Sequence, residues 1–506
     1  MNKVILIIRD GWGVSKEREG NAVYYANTPI YDVLRNECSH TQLQASGEDV
    51  GLPNKFMGNS EVGHLNIGAG RVVNEMITRI NKSIEDKSFF SNPSLLRAIN
   101  NVKKNNSSLH FLGVLQDTGV HAMNTHLYAL LKLAHDNEIS DKIRIHLIAD
   151  GMDVPKRSVG KFIEELRNVI LEYGIDDKYI VTLVGKDYAM DKINRWQKTK
   201  LAYDCIAQGE GRRAESIDHA IQMGYENNEE DNEITPTVIG DYSGVRDKDS
   251  IIFFNFRLDC AREITKAFVD SNFNRFQREK LNVLFVCFAE YYHELENYEN
   301  TLIVFHPEIM QNLLGEVIAK NNLKQLRIAE QEKSAHVTYF FNGEFERPFP
   351  GEHRIIIHST VKKHELKPET SSYEITEKVI SEIGKYDFIV LNFASTDLCG
   401  HTGDFDATVK SIEVVDECVG KVLKKAKELG FVCVITSDHG NCEEMIDESG
   451  NEKPSHSTNP VDLIVYNYKD SNLKLKKGRL ADVAPTVLEI IGIDKPKEMT
   501  GESLIL

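Results

Sequence analysis

Ligand-type side chains stand where apolar runs of this chain end. Phe431-Val432-Cys433-Val434-Ile435 leads into Thr436-Ser437-Asp438-His439-Gly440-Asn441, setting a carboxylate beside an imidazole after a strand-like run. Asp387 to Phe393 leads into Asp397-Leu398-Cys399-Gly400-His401, and Val4 to Ile8 leads into Asp10-Gly11-Trp12-Gly13. His456 follows in Ser455-His456-Ser457-Thr458-Asn459-Pro460. Strand ends at the carboxyl edge of a sheet are where α/β folds place their chemistry. Carboxylate and imidazole without thiolate suit Mn²⁺, Mg²⁺ or Zn²⁺. Asp10, Asp397, His401, Asp438, His439 and His456 are enough for two such ions, which together stabilise the attacking and leaving oxygens of an in-line phosphoryl displacement.

The nucleophile such a centre needs is found in Gly58-Asn59-Ser60-Glu61-Val62-Gly63-His64. A serine at a helix start beside metal can lose its proton and accept a phosphoryl group. Taken singly, each piece has a plainer meaning. Asn-Ser-Glu is a good helix cap, Asp-x-x-x-His or Asp-His-Gly a turn, and His456 a surface histidine. Their joint occurrence at strand ends selects the metal centre.

The elements that must position these groups are strands alternating with helices. Strand-like runs occur at Ser108 to Leu115, Ile143 to Ala149, Tyr179 to Val184, Ile251 to Phe256 and Asn282 to Phe288. Thr408 to Leu429 carries Val409, Ile412, Val415, Val419 and Leu423 at helical spacing. This alternation predicts an α/β protein with mostly parallel sheets. The ligands cluster near the two chain ends and the middle supplies none. That places a metal-binding domain at 1–74 and 302–506 with a second domain, 75–301, inserted in it. The acidic stretch Glu226 to Glu233 reads as a solvated loop of the insert.

Composition sets the outer bounds. A net charge of −17 argues against a nucleic-acid or anionic-membrane surface. The 8 cysteines show no C-x-x-C spacing and read as reduced thiols. Arg9 and Asp10 interrupt the first apolar run too early for a signal peptide, and no run approaches the roughly 20 residues of a membrane span. The expectation is a cytoplasmic protein.

Asp10 to Gly13, Met57 to Arg71, Asp397 to Gly403, Asp438 to Asn441 and His456 to Pro460 together resemble the cofactor-independent (2,3-bisphosphoglycerate-independent) phosphoglycerate mutases of the alkaline phosphatase superfamily, from Met1 to about Glu502. The resemblance implies an alkaline-phosphatase-like metal domain with a phosphotransferase domain inserted and hinged to it. It implies one Mn²⁺ on Asp397, His401 and His456, and another on Asp10, Ser60, Asp438 and His439. Mg²⁺ and Zn²⁺ are the alternatives, and no bisphosphoglycerate is required. Ser60 would take the phosphoryl group of 3-phosphoglycerate and return it to the 2-hydroxyl of the same glycerate, with closure excluding water. A small phosphate ester is then the partner and a monomer the expected state.

On the substrate side, the family pattern carries over to His121, Asp153, Arg257 and Lys333. Family arginines fall on Lys186 and Lys192, while Met152 and Cys260 stand where two more belong and offer no charge. Lysine lacks the planar two-pronged fork of arginine, so these changes are not conservative. Arg262 lies two residues from Cys260, which on a helix is a different face. The substrate pocket therefore leaves a second reading open: a related mutase, transferase or phosphatase acting on another phosphate or phosphonate ester. A third, a silent binding protein, has no need of Ser60 and six metal ligands.

Overall fold

A computed structural model describes residues 1–359, 363–447, 449–469 and 473–506. It divides into two units, Met1–Glu75 with Ile309–Leu506, and Met76–Glu308. The expected second junction, between 301 and 302, would fall inside the strand Thr301–Phe305. That strand pairs in parallel with Leu284–Ala289, so the division comes after it.

The first unit is built on eight strands in the order Glu352–Ile357, Gln325–Glu330, Phe388–Phe393, Lys3–Arg9, Phe431–Thr436, Val461–Tyr466, Ser39–Gln44 and Gly478–Arg479. The first five run parallel; Val461–Tyr466 is antiparallel to both its neighbours. Side chains alternate faces along a strand, and a parallel sheet covered on both sides must be apolar on both. Ile5, Ile7, Ile389, Leu391, Cys433 and Ile435 pack on one side with Ile412, Val415, Val419 and Val422 of the helix Phe405–Glu428. Val4, Leu6, Ile8, Val390, Val432 and Val434 pack on the other with Val483, Val487 and Leu488 of the helix Val483–Ile491. Ile8 is in register with both Asn392 and Thr436, so the three central strands finish together.

The second unit has its own sheet, ordered Thr301–Phe305, Leu284–Ala289, Ser250–Phe253, Leu109–Val114, Ile143–Ala149, Ile180–Gly185, Thr237–Ile239 and Arg212–Ala214, and its own apolar core. The strand expected over Ile251 to Phe256 ends at Phe253, and the chain from Asn255 onward leaves the sheet. The acidic stretch is not wholly a solvated loop. Asp231 is fully buried, and its carboxylate accepts from the backbone N–H groups of Ser158 (2.7 Å) and Val159 (3.0 Å), capping the helix Val159–Glu172 from a distance. Among the described residues no helix is long and apolar enough to cross a membrane.

Candidate functional site

Asp10 follows directly on Lys3–Arg9, Asp397 lies in the short helix Ser395–Gly400 after Phe388–Phe393, and Asp438 and His439 follow Phe431–Thr436. Ser60 is the first residue of the helix Ser60–Ala69, whose start is capped by the Asn59 side chain accepting from the Val62 N–H at 2.9 Å. The cap and the nucleophile are thus adjacent residues, and Ser60 is free to turn inward. Gly63, one turn on, lets the helix approach the Asp438 backbone: a Cβ there would lie 2.5 Å from the Asp438 carbonyl oxygen.

The Ser60 hydroxyl lies 2.9 Å from His439 Nε2 and 3.2 Å from Asp10 Oδ1. Lys333 Nζ donates to Ser60 Oγ (2.6 Å), Asp10 Oδ1 (2.8 Å) and Asp397 Oδ2 (2.7 Å). Lys333, expected on the substrate side, therefore sits among the metal-type ligands, and every one of these groups is buried. Burial by itself would raise the Asp10 and Asp397 carboxyls, but the Lys333 ammonium, with the nearby imidazoles, holds both well below the usual carboxylate range. Burial also opposes charge on His439, yet Asp438, Asp10 and Asp397 push its ring up to about 9. The pocket demands positive charge.

Two features show that divalent cations fit this ligand set. His401 Nδ1 faces the Pro454 carbonyl at 2.9 Å and His456 Nδ1 faces the Gly58 carbonyl at 2.8 Å. A carbonyl only accepts, so each ring carries its proton on Nδ1 and keeps its lone pair on Nε2. Those two Nε2 atoms lie 2.9 Å apart, at 3.4 and 3.3 Å from Asp397 Oδ1. Two imidazole lone pairs converging on a carboxylate oxygen, whose one further hydrogen-bond partner among the described residues is the Asn441 amide at 3.3 Å, form a cation site. Secondly, Asp438 Oδ2 is buried without a hydrogen bond among the described residues, 3.3 Å from His64 Nδ1 and 3.6 Å from His439 Nε2. Asp397 with His401 and His456, Asp10 with Asp397 and His439, and Asp10 with His64 and Asp438 each bring one ligand atom apiece within 4.8 Å of the others.

Two positioning groups escaped the sequence reading. Asn392 Nδ2 donates to Asp10 Oδ2 (2.7 Å) and contacts His64 Nε2 (3.1 Å), and His64 Nδ1 meets the Ser60 carbonyl at 2.9 Å. Asn392 was visible as the lone amide in an otherwise apolar strand, and His64 as the residue one turn beyond Ser60.

The remaining expected site residues gather in the second unit. His121 Nε2 lies 3.1 Å from Asp153 Oδ2, and Lys186 Nζ bonds Asp150 Oδ1 (2.8 Å) and also Asp153. Burial, then Lys186, pushes the His121 ring down to about 4. Lys192 Nζ and Arg257 Nε take opposite oxygens of Asp259 at 3.1 and 3.2 Å. Cys260 is buried beside them and Met152 is exposed. Arg262 donates Nε to the Tyr291 carbonyl at 2.8 Å, so its guanidinium is held by backbone.

Known proteins match this chain over nearly its whole length. The model of the Metalloenzyme superfamily matches residues 2–495. A 2,3-bisphosphoglycerate-independent phosphoglycerate mutase of Acetivibrio thermocellus is 50% identical over 513 residues, covering 99% of each chain. The enzyme of that name numbered 1 in Methanosarcina barkeri is 49% identical over 515 residues, covering 99% of this chain and 98% of its own. The chain belongs to the 2,3-bisphosphoglycerate-independent phosphoglycerate mutases, within the metalloenzyme superfamily. Among solved structures, Leishmania mexicana phosphoglycerate mutase at low cobalt concentration is similar with a TM-score of 0.66 and 27% identity, covering 100% of this chain and 98% of that one. The similarity to the mutases thus extends over both units.

Proposed function

We propose that this chain interconverts 3-phosphoglycerate and 2-phosphoglycerate through a phosphorylated Ser60, without bisphosphoglycerate. The observation that carries the reading is the Ser60 hydroxyl, which is buried at a helix start within 3.2 Å of an ammonium, an imidazole and a carboxylate. Asp397, His401 and His456 would hold one divalent ion, and Asp10, Asp438 and His439 with Ser60 another, with Mn²⁺ the first choice and Mg²⁺ or Zn²⁺ the alternatives. When bound, such ions supply positive charge for the phosphoryl oxygens and favour ionisation of the serine hydroxyl.

The chain's own groups do the rest. Lys333 donates to Ser60 Oγ and stabilises the alkoxide as its proton leaves, a charge-assisted hydrogen bond in a buried site. Asn392 and His64 fix the carboxylates that face the serine. In the second unit Lys186, Lys192 and Arg257 supply donors for the anionic groups of a phosphorylated acid, beside His121 and Asp153. The same glycerate recovers the phosphoryl group on its other hydroxyl, so the net reaction is an isomerisation. One chain supplies every group, so a monomer suffices, and a glycolytic step of this kind belongs in the cytoplasm.

The test is to incubate the Mn²⁺-loaded protein with 3-phosphoglycerate, quench in acid and map phosphopeptides. The expected result is phosphoserine at residue 60; a phosphate elsewhere, or none during active turnover, would overturn the reading. A second reading, transfer on another phosphate or phosphonate ester, is favoured by the uncharged Met152 and Cys260 and by the engagement of Arg262 with Tyr291. Turnover of such an ester exceeding that of 3-phosphoglycerate would establish it.

A further inference from the structure

Cys260, His121 and Asp259 have a property that anion binding does not use. One ring nitrogen of His121, one carboxylate oxygen of Asp259 and the Cys260 sulfur all lie within 4.8 Å of one another. The His121 Nε2 side is committed to Asp153 Oδ2 at 3.1 Å. Its Nδ1 is buried with no hydrogen-bond partner among the described residues, although His121 is only 4% exposed. The carboxylate beside Nε2 holds the ring proton there and leaves Nδ1 a bare lone pair, the tautomer in which a histidine can take a metal. The backbone fixes it: the Phe256 N–H donates to the His121 carbonyl at 2.8 Å, tying the His121 loop to the segment that carries Asp259 and Cys260.

We propose that the second unit carries a divalent-cation site of its own, formed by His121, Asp259 and Cys260 and selective for a thiophilic ion of the Zn²⁺ class. A thiolate and an imidazole prefer Zn²⁺ over the hard ions that suit the oxygen-rich centre of the first unit. Three protein ligands leave a coordination position open, as in zinc sites that accept an exogenous oxygen. Charge balances: the ion replaces the Cys260 thiol proton, which leaves to solvent, and the dication is neutralised by that thiolate with the Asp259 carboxylate. Lys192 and Arg257, which now pair with Asp259, are half-exposed and free to turn to water when it is taken up. The consequence is that free Zn²⁺ competes with the anionic substrate for His121.

Co²⁺ is the probe, because thiolate ligation gives an intense near-ultraviolet charge-transfer band that oxygen and imidazole ligands do not. The full-length protein, already loaded with Mn²⁺ and kept reduced, is titrated with Co²⁺. The expected result is a saturable band at one equivalent. It disappears in Cys260→Ser, and Asp153→Asn, which removes the carboxylate behind the ring and leaves Lys186 its Asp150 partner, weakens Co²⁺ binding by about 10–100-fold. Unchanged circular dichroism shows that both variants fold. No band with the wild-type protein, or a band that survives Cys260→Ser, overturns the proposal. The spectrum makes no use of turnover, so its failure leaves the mutase reading standing.

Discussion

At the scale of single residues, Ser60, Lys333 and Asn392 divide the work in ways that substitutions separate. Lys333 stands between Asp10 and Asp397, where its ammonium competes with any cation those carboxylates could hold. Lys333→Met is therefore expected to lower turnover by about 10²-fold or more, the usual cost of losing a donor to a developing oxyanion. Mn²⁺ affinity should hold or rise. A parallel loss of metal binding in calorimetric titration would show Lys333 to be structural instead. Asn392 acts one step back, orienting Asp10 and His64. Asn392→Ala is expected to weaken Mn²⁺ binding about 10–100-fold, as outer-shell partners of ligands generally do. Unaltered affinity would remove it from that role.

At the scale of elements, the helix Ser60–Ala69 carries the nucleophile only because Gly63 admits the Asp438 backbone. Gly63→Ala must push the helix outward, costing about 1–3 kcal/mol by overpacking, and a shift near 1 Å at the reacting oxygen costs on the order of 10²-fold in rate. A variant with normal kcat would show that the turn, not the helix, yields. In the second unit, Asp231→Ala should lower stability by about 1–2 kcal/mol through loss of a helix cap, read as a lower unfolding midpoint. What was legible in the sequence follows from the same physics. The central strands announced themselves because both faces are apolar, and the ligands because they follow those strands. Ser39–Gln44 and Glu352–Ile357 were not visible: lying toward the sheet margins, they mix polar and apolar residues. Asp231 read as solvent-exposed because its partners, Ser158 and Val159, are distant in sequence. Cys260 was legible only as a departure from the family pattern, since its proximity to His121 is a product of folding.

At the scale of the molecule, each unit has its own sheet and core, and the two should respond differently to metal and to acid. Mn²⁺ binding the folded first unit stabilises it by mass action, about 2.7 kcal/mol at a hundredfold excess over Kd. Chelation is expected to lower one calorimetric transition and leave the other in place; equal shifts in both would make the units one cooperative block. Acid should act on the first unit through the depressed Asp10 and Asp397 carboxyls and on the second through buried histidines. Burial pushes His126 down to about 3, and burial likewise lowers His110 and His146, the latter well below the usual value. These rings are neutral in the fold and take protons once unfolded, so the unfolded state binds more protons below about pH 6.5. Stability is then complete above that pH and falls as pH drops toward the folded values, by up to about 1.4 kcal/mol per pH unit for each ring. Replacing His126 with Asn should flatten that fall; an unchanged slope would assign it to other groups.

The central claim is that Ser60 relays a phosphoryl group within one phosphoglycerate. The direct measurement is conversion of 3-phosphoglycerate to 2-phosphoglycerate by the purified, Mn²⁺-loaded protein with no bisphosphoglycerate present, set beside Ser60→Ala. The account expects steady conversion by the wild-type protein, and none by a variant that still folds and binds metal. Comparable turnover in the variant, or no conversion by a folded, metal-loaded wild-type protein, would contradict it.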